Sequence, residues 1–300
     1  MAADCRTQCI EAGEGMVGTA DAGAHLVALA WPKPRWHPDD AYLSEGLPPQ
    51  LAELARRSKA AGSKLAVRAF QRAPQPPTDT IEVILTAPAQ HRSLHAQGIA
   101  LEKLVPLIED FVAGRADGPP APRLLLVCTD GKHDRCCATR GRGLYEALLA
   151  ASRAQSGPCE IAESSHLGGH RFAATCLLLP DGLMHGRLEP ADAKPLLRAL
   201  GRGRPLLPRY RGRVCLGEPQ QVAEAWALAR FPDAAELEVG SDEPCAEGVR
   251  VSVSLRSNGA AQQLWVHCRE RRLLTPTSCG AEPLREARTR WVAAGVDGAA

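Results

Sequence analysis

The run Arg123-Leu-Leu-Leu-Val127, ending on Cys128, constrains this chain more than any other stretch. Consecutive apolar residues with no polar alternation suit a strand buried on both faces, the habit of parallel strands covered by helices. Cys128 therefore stands where such a strand leaves its sheet. A loop to Gly143 follows, and then a helix with Leu144, Ala147, Leu148 and Ala151 at i, i+3, i+4 and i+7. Cys137 falls just ahead of that helix, where the positive end of the helix dipole favours a thiolate.

The segment continues in the same idiom. A strand over 159–163 leads into Ser-Ser-His166-Leu-Gly-Gly-His170. Phe172 to Leu179 reads as a further strand, Pro180-Asp181-Gly182 as a turn, and Leu183 to Leu188 as the returning hairpin partner. Ala193, Leu196, Leu197 and Leu200 share one face of a closing helix. This β-α-β-β-β-α order is the pattern of an α/β, thioredoxin-like domain, assigned to residues 118–203, with both loops at strand ends.

Residues 1–117 show a similar order without its chemistry. A strand at His25 to Trp31 is broken by Pro32, Pro34 and Pro38. A helix opens at Pro48 and Pro49, buries Leu51, Leu54 and Ala55, and ends at Gly62. Strands follow at Leu65 to Phe70 and Thr80 to Thr86. A helix then carries Leu101, Leu104, Val105, Ile108 and Val112, with Pro106 expected to kink or divide it. The parallel suggests a duplication in which one copy kept a site, the first being a degenerate thioredoxin-like segment. Gly114, Gly118, Pro119 and Pro120 form the linker. Cys5 and Cys9, close to the terminus and with no second pair nearby, read as ordinary free thiols.

Residues 204–300 begin within the basic loop Arg-Gly-Arg-Pro-Leu-Leu-Pro-Arg-Tyr-Arg-Gly-Arg213 and read as a small α+β extension for packing or partner docking. A helix carries Val222, Ala225, Trp226 and Ala229. Val249, Val251, Val253 and Leu255 alternate as a strand, and Asn258-Gly259 signals a hairpin into Leu264, Val266 and Cys268. Leu284, Ala287 and Trp291 fit a last helix.

Composition removes several classes of function. Lys and Arg number 36 against 34 Asp and Glu, a net +2 that argues against nucleic acid or a membrane surface as partner. Eleven cysteines in 300 residues are too sparse, and odd in number, for a disulfide scaffold. No apolar run approaches the ~20 residues of a membrane span, and no signal peptide is evident. A cytoplasmic protein is expected.

What remains is a constellation of thiols and imidazoles. Cys128 and Cys137 are spaced C-x8-C, Cys136 offers C-x7-C, and His166 and His170 form H-x3-H. Thiolate and imidazole together suit iron or zinc. Gly168 and Gly169 let backbone wrap closely around a metal group. Buried cysteines and hydrogen-bonded histidines are also common without any metal.

The motifs CTDGKHDRCC and ESSHLGGHRFAATCLLLPDGLMHGRL, with the later YRGR and its Gln-Gln-Val-Ala-Glu helix, resemble the sucrase/ferredoxin-like family, most specifically over 123–188. The resemblance implies a thioredoxin-like ferredoxin domain with a [2Fe-2S] cluster on Cys128, Cys137, His166 and His170. It prefers Cys137 to Cys136 because Cys-Ala-Thr-Arg-Gly matches the context of the family's second ligand. The chain departs from the family's usual pattern at Asp130, where His is common, and at His133, where Arg is. No carboxylate pair supports a sucrase.

Two imidazoles in place of two thiolates raise a cluster's potential, to roughly −150 to +300 mV in Rieske centres against about −400 mV in plant-type ferredoxins. A ring nitrogen off the metal can couple reduction to a proton. The expectation is an electron carrier rather than a catalyst, serving an unknown redox partner protein. Lys132, His133, Arg135, Arg140 and Arg142 are candidates to steer an acidic partner, or simply a solvated basic loop. The alternatives are a structural zinc module, a thiol oxidoreductase on Cys136 and Cys137, and a metal-free interaction platform. The second is disfavoured, since adjacent cysteines pair only with strain.

Overall fold

The computed structural model describes residues 5–21, 23–62, 65–74, 79–155, 157–257, 260–276 and 285–297. After a short helix α1 (Cys5–Glu11) the chain builds β1 (His25–Ala30), α2 (Pro49–Ala60), β2 (Leu65–Gln71), β3 (Thr80–Ala87), β4 (Arg92–Ala100) and α3 (Leu101–Val112). It then builds β5 (Leu124–Cys128), α4 (Arg135–Gln155), β6 (Glu160–Ser164), β7 (Cys176–Leu179), β8 (Leu183–His185) and α5 (Ala193–Gly201). β9 (Tyr210–Arg213) and α6 (Glu218–Arg230) lead to β10 (Glu236–Cys245), β11 (Gly248–Ser257), β12 (Ala260–Pro276) and β13 (Arg285–Asp297).

The fold is mixed α/β. Nine strands form one sheet in the order β4-β3-β1-β2-β6-β5-β7-β8-β9, and the last four form a second, antiparallel sheet. Within the large sheet the same topology occurs twice. β1 is parallel to β2 and antiparallel to β3, which pairs with β4. β5 is parallel to β6 and antiparallel to β7, which pairs with β8. The two units meet where β2 and β6 run antiparallel, through Phe70 opposite Ser164 and Gln71 opposite Glu163. Both strands pair there by their C-terminal ends, so the loops leaving the parallel strands of each unit converge at the join.

Residue alternation sets the layers. Leu125 and Val127 of β5 pack with Leu144 and Leu148 of α4 and Leu196 and Leu200 of α5. Val27 and Leu29 of β1 pack with Leu51 and Leu54 of α2 and Leu104 and Ile108 of α3. On the opposite face Leu26, Ala28, Leu124, Leu126 and Cys128 share one cluster with Ala20, Leu167 and Val214. Every residue of β5 is buried, as its unbroken apolar run requires. Beyond it, Val222, Ala223 and Ala227 of α6 cover Val251, Val253 and Val266 of the small sheet.

Several elements differ from the sequence expectation. The last segment is strand β13, not a helix; it pairs along its length with β12, from Trp265 opposite Asp297 to Pro276 opposite Arg285. Thr289, Val292 and Val296 suit that pleated pairing, and Leu284 lies outside the described residues. The Asn258-Gly259 turn also lies outside them, although Ser257 pairs with Ala260 across it. α4 begins at Arg135 rather than Gly143, because the Asp134 carboxylate accepts the Cys136 amide at 2.7 Å and caps the first turn. Gly141 inside it is the point of closest approach, since a Cβ there would stand 1.9 Å from the Cys128 carbonyl oxygen.

α3 runs through Pro106 undivided. The strand expected from Phe172 is confined to Cys176–Leu179, and a 3-10 turn occupies His170–Phe172. The end of the basic loop, Tyr210–Arg213, is an edge strand, and Arg92–Ala100 and Glu236–Cys245 are strands that sequence reading left unassigned.

Candidate metal centre

Two loops bring the candidate ligands together. β5 delivers Cys128 at its end, 1% exposed, and the turn that follows folds back through a 3.1 Å bond from the Lys132 amide to the Asp130 carboxylate. The capped start of α4 then presents Cys136 and Cys137 in its first turn. The adjacent parallel strand β6 delivers the other loop: the Thr129 amide donates to the Ser164 carbonyl at 3.1 Å, and Ser165 is tied to Ala69 of β2 in both directions. His166 follows directly. Gly168 and Gly169 hold φ of +84° and +72°, and a Cβ on Gly169 would stand 2.7 Å from a guanidinium nitrogen of Arg211, so glycine alone fits this bend.

Ligand atoms of Cys128, Cys137 and His166 all lie within 4.8 Å of one another. The Cys137 sulfur is 3.9 Å from His166 Nδ1. The imidazole of His133 stacks on His166 at 3.5 Å between centroids and is anchored by the Pro38 carbonyl, 2.7 Å from its Nδ1. His170 stands apart: its Nδ1 is 3.2 Å from an Asp134 carboxylate oxygen and 3.6 Å from the Cys5 sulfur. The two neighbouring cysteines of α4 diverge. Cys137 faces Cys128, whereas the Cys136 sulfur lies 3.8 Å from that of Cys5.

The Cys128–Cys137 pair is electrostatically polarised. The Cys137 thiol donates a hydrogen bond that holds the Cys128 pKa well below the usual thiol value, against the opposing effect of burial, with His166 adding to it. Cys137 is pushed up by the same bond, by burial and by the charge of Cys128 and Asp134. Two buried sulfurs sharing one proton are a donor set that a cation completes, since both ionise only when positive charge stands between them. Burial, then the charge of Cys128, raises Asp130, whose Oδ2 is buried with no partner among the described residues. Burial lowers His170, with Asp134 opposing.

Sequence reasoning missed two neighbours, Asp134 and Cys5. Asp134 both caps α4 and holds His170; Cys5 and Cys9 are buried on α1 instead of lying loose, and Cys5 touches the site. The signal for Asp134 was present as an Asp ahead of a helix, obscured by the glycines that placed the helix start too late. Of the basic loop residues, Lys132 binds the Pro34 and Trp36 carbonyls, Arg142 pairs with Glu146, Arg140 approaches Glu189 at 3.9 Å, and Arg135 is exposed.

Residues 16–212, about two thirds of the chain, match the sucrase/ferredoxin-like family. The chain belongs to that family. No curated protein matches it. Among solved structures it is similar to thioredoxin-like [2Fe-2S] ferredoxin from Aquifex aeolicus. One such structure, the wild type, shares 17% identity over 29% of this chain and 94% of its own, with a TM-score of 0.26. Another shares 18% over 29% of this chain and 88% of its own, again at 0.26. Both halves of the large sheet fall inside the family's span, and the small antiparallel sheet falls outside it. Among the described residues no helix is long and apolar enough to cross a membrane.

Proposed function

We propose that this member of the family is an electron-transfer protein whose Cys128, Cys137, His166 and His170 hold a [2Fe-2S] cluster. The observation that carries the reading is the convergence of Cys128, Cys137 and His166 at the ends of two adjacent parallel strands. Such a cluster supplies a one-electron store, and its potential rises when imidazoles replace thiolates. The chain's own residues set the rest. His133, stacked on His166 and fixed by Pro38, orients that imidazole. The Asp134 carboxylate, 3.2 Å from His170 Nδ1, positions that imidazole beside the site, as an acidic partner does for metal-bound histidines. The burial of Cys128, Thr129 and Asp130 keeps water from the thiolates.

A second reading rests on a specific feature: three donors converge while His170 is held by Asp134, and three protein ligands with an open position suit zinc. One sample separates the two. Anaerobically purified protein with about two irons and matching sulfide per chain, a red-brown colour and a reduced-state EPR signal supports the cluster. A colourless protein with one zinc overturns it. The reading also calls for a redox partner protein and a reducing compartment such as the cytoplasm.

A further inference from the structure

Gly168 and Gly169 also border an open cavity of about 510 Å³ whose wall is guanidinium-rich: Arg171, Arg211, Arg288 and Arg290, with Asp21 and Glu218. That size is typical of small-molecule sites. Arg211 is 2% exposed, and its guanidinium donates to neutral oxygens, the Thr19 hydroxyl at 3.0 Å, the Gly168 carbonyl at 2.9 Å and the Thr19 carbonyl. Among the described residues no carboxylate pairs with it. Arg171 and Arg290 share one carboxylate, that of fully buried Glu14, at 3.0 and 2.7 Å. Asp21 is engaged by Arg68 at 3.1 Å.

The interior of this wall is therefore short of negative charge. Among the described residues Arg68, Arg171, Arg211, Arg288 and Arg290 stand against Glu14, Asp21 and, exposed at the rim, Glu218, five cations against three anions. Uncompensated charge in a buried setting is costly, and Arg211 shows the strain, its pKa lowered to about 9 by burial and then by Arg171. Three guanidiniums, those of Arg171, Arg187 and Arg211, also crowd one ring, Phe172, at 4.4, 5.3 and 5.0 Å. The ring offsets part of their repulsion and carries no net charge to neutralise it.

We propose that this cavity binds a phosphate group, as inorganic phosphate or as the phosphate of a small phosphomonoester. The surplus of two positive charges, five cations less three anions, matches a phosphate dianion, and planar guanidinium forks match its oxygens. Gly169 is part of the design, since any Cβ there would displace the Arg211 guanidinium. The cavity exceeds what one orthophosphate fills, which favours the ester. None of the thiol or imidazole donors takes part, so the inference stands or falls apart from the metal reading.

The test is calorimetric titration of the full chain with inorganic phosphate and with adenosine monophosphate, in chloride buffers of equal ionic strength. The expected result is saturable binding of one equivalent, tighter for the nucleotide; equal affinity would identify a free-anion site of the same chemistry. Arg290→Gln is expected to weaken binding at least tenfold, and Arg256→Gln, on a distant exposed position, to leave it unchanged. Should Arg290→Gln fail to fold, phosphate must still raise the melting temperature of the unaltered protein above that in equal-strength chloride. Dilution heats alone with no thermal shift, or equal weakening by both substitutions, would overturn the proposal.

Discussion

The two units of the large sheet have one topology and opposite chemistry. In the second, the loop after β5 and the loop after β6 present Cys128, Cys137 and His166 to one point. In the first, the loop after β1 is Trp-Pro-Lys-Pro-Arg-Trp36, and β2 ends on Gln71. Two-fold pairing through β2 and β6 brings the first set of loops against the second. Trp36 is buried and its indole donates to the Trp31 carbonyl at 2.8 Å, fixing the loop as a wall. That wall supplies the Pro34 and Trp36 carbonyls to Lys132 and the Pro38 carbonyl to His133. Lys33 reaches across to Glu163 at 2.6 Å and to Thr129 at 2.8 Å. A strand-helix-strand frame thus fixes where a site can form, and the loop residues decide whether it is a candidate ligand set or its support.

Breaking the ligand side should have the largest effect. Cys128→Ser or Cys137→Ser is expected to lower bound metal tenfold or more, whereas Pro34→Ala in the supporting loop should leave metal content intact, both read by elemental analysis. Equal loss in all three would dissolve the distinction between the units. Next comes the wall. Trp36→Ala removes a fully buried side chain and should cost ~3–5 kcal/mol in denaturant unfolding. A cost under ~1 kcal/mol would mean that the loop is not fixed by its packing.

The bridge between the units is smaller. Lys33→Met leaves the Glu163 carboxylate, 9% exposed, with Arg142 at 3.5 Å as its remaining cation, and should cost roughly 1–3 kcal/mol. The test is whether Lys33→Met with Glu163→Gln recovers most of that loss. The smallest effect belongs to the second unit alone. His185 on β8 is buried, and burial lowers its pKa to about 3. The unfolded chain binds a proton near pH 6.5 and the folded one does not, so stability is full above pH 6.5 and falls as pH drops toward 3. Between pH 7 and pH 6 the loss should be about 0.7 kcal/mol, and His185→Gln should flatten the profile. An unchanged slope would show that His185 does not govern it.

Legibility followed how local each signal was. β1, β2, β3, β5 and β6 are short apolar runs, and α2, α3, α5 and α6 carry apolar faces at helical spacing, so sequence reading located them. β4 and β10 are polar on one side or both, and β9 lies in an arginine-rich stretch; each is a strand because a neighbour pairs with it. Ala287 and Trp291 fit helical spacing as well as a strand, and only pairing with β12 decides between them. At the site, Cys128 and His166 were visible as types at strand ends and Cys137 as a thiol near a helix start. The contacts of His170 with Asp134 and Cys5, and of His133 with the wall of the first unit, depend on long-range closure that no local pattern encodes.

His170 is where the account is most exposed, because its imidazole is held by Asp134 beside the other three donors. Pulsed EPR of the reduced protein, with histidine nitrogen isotopically labelled, reads ligation directly. Two strongly coupled histidine nitrogens, one of them lost in His170→Ala, are the predicted result. A spectrum with no strongly coupled nitrogen, or one that His170→Ala leaves unchanged, would contradict a cluster held by Cys128, Cys137, His166 and His170.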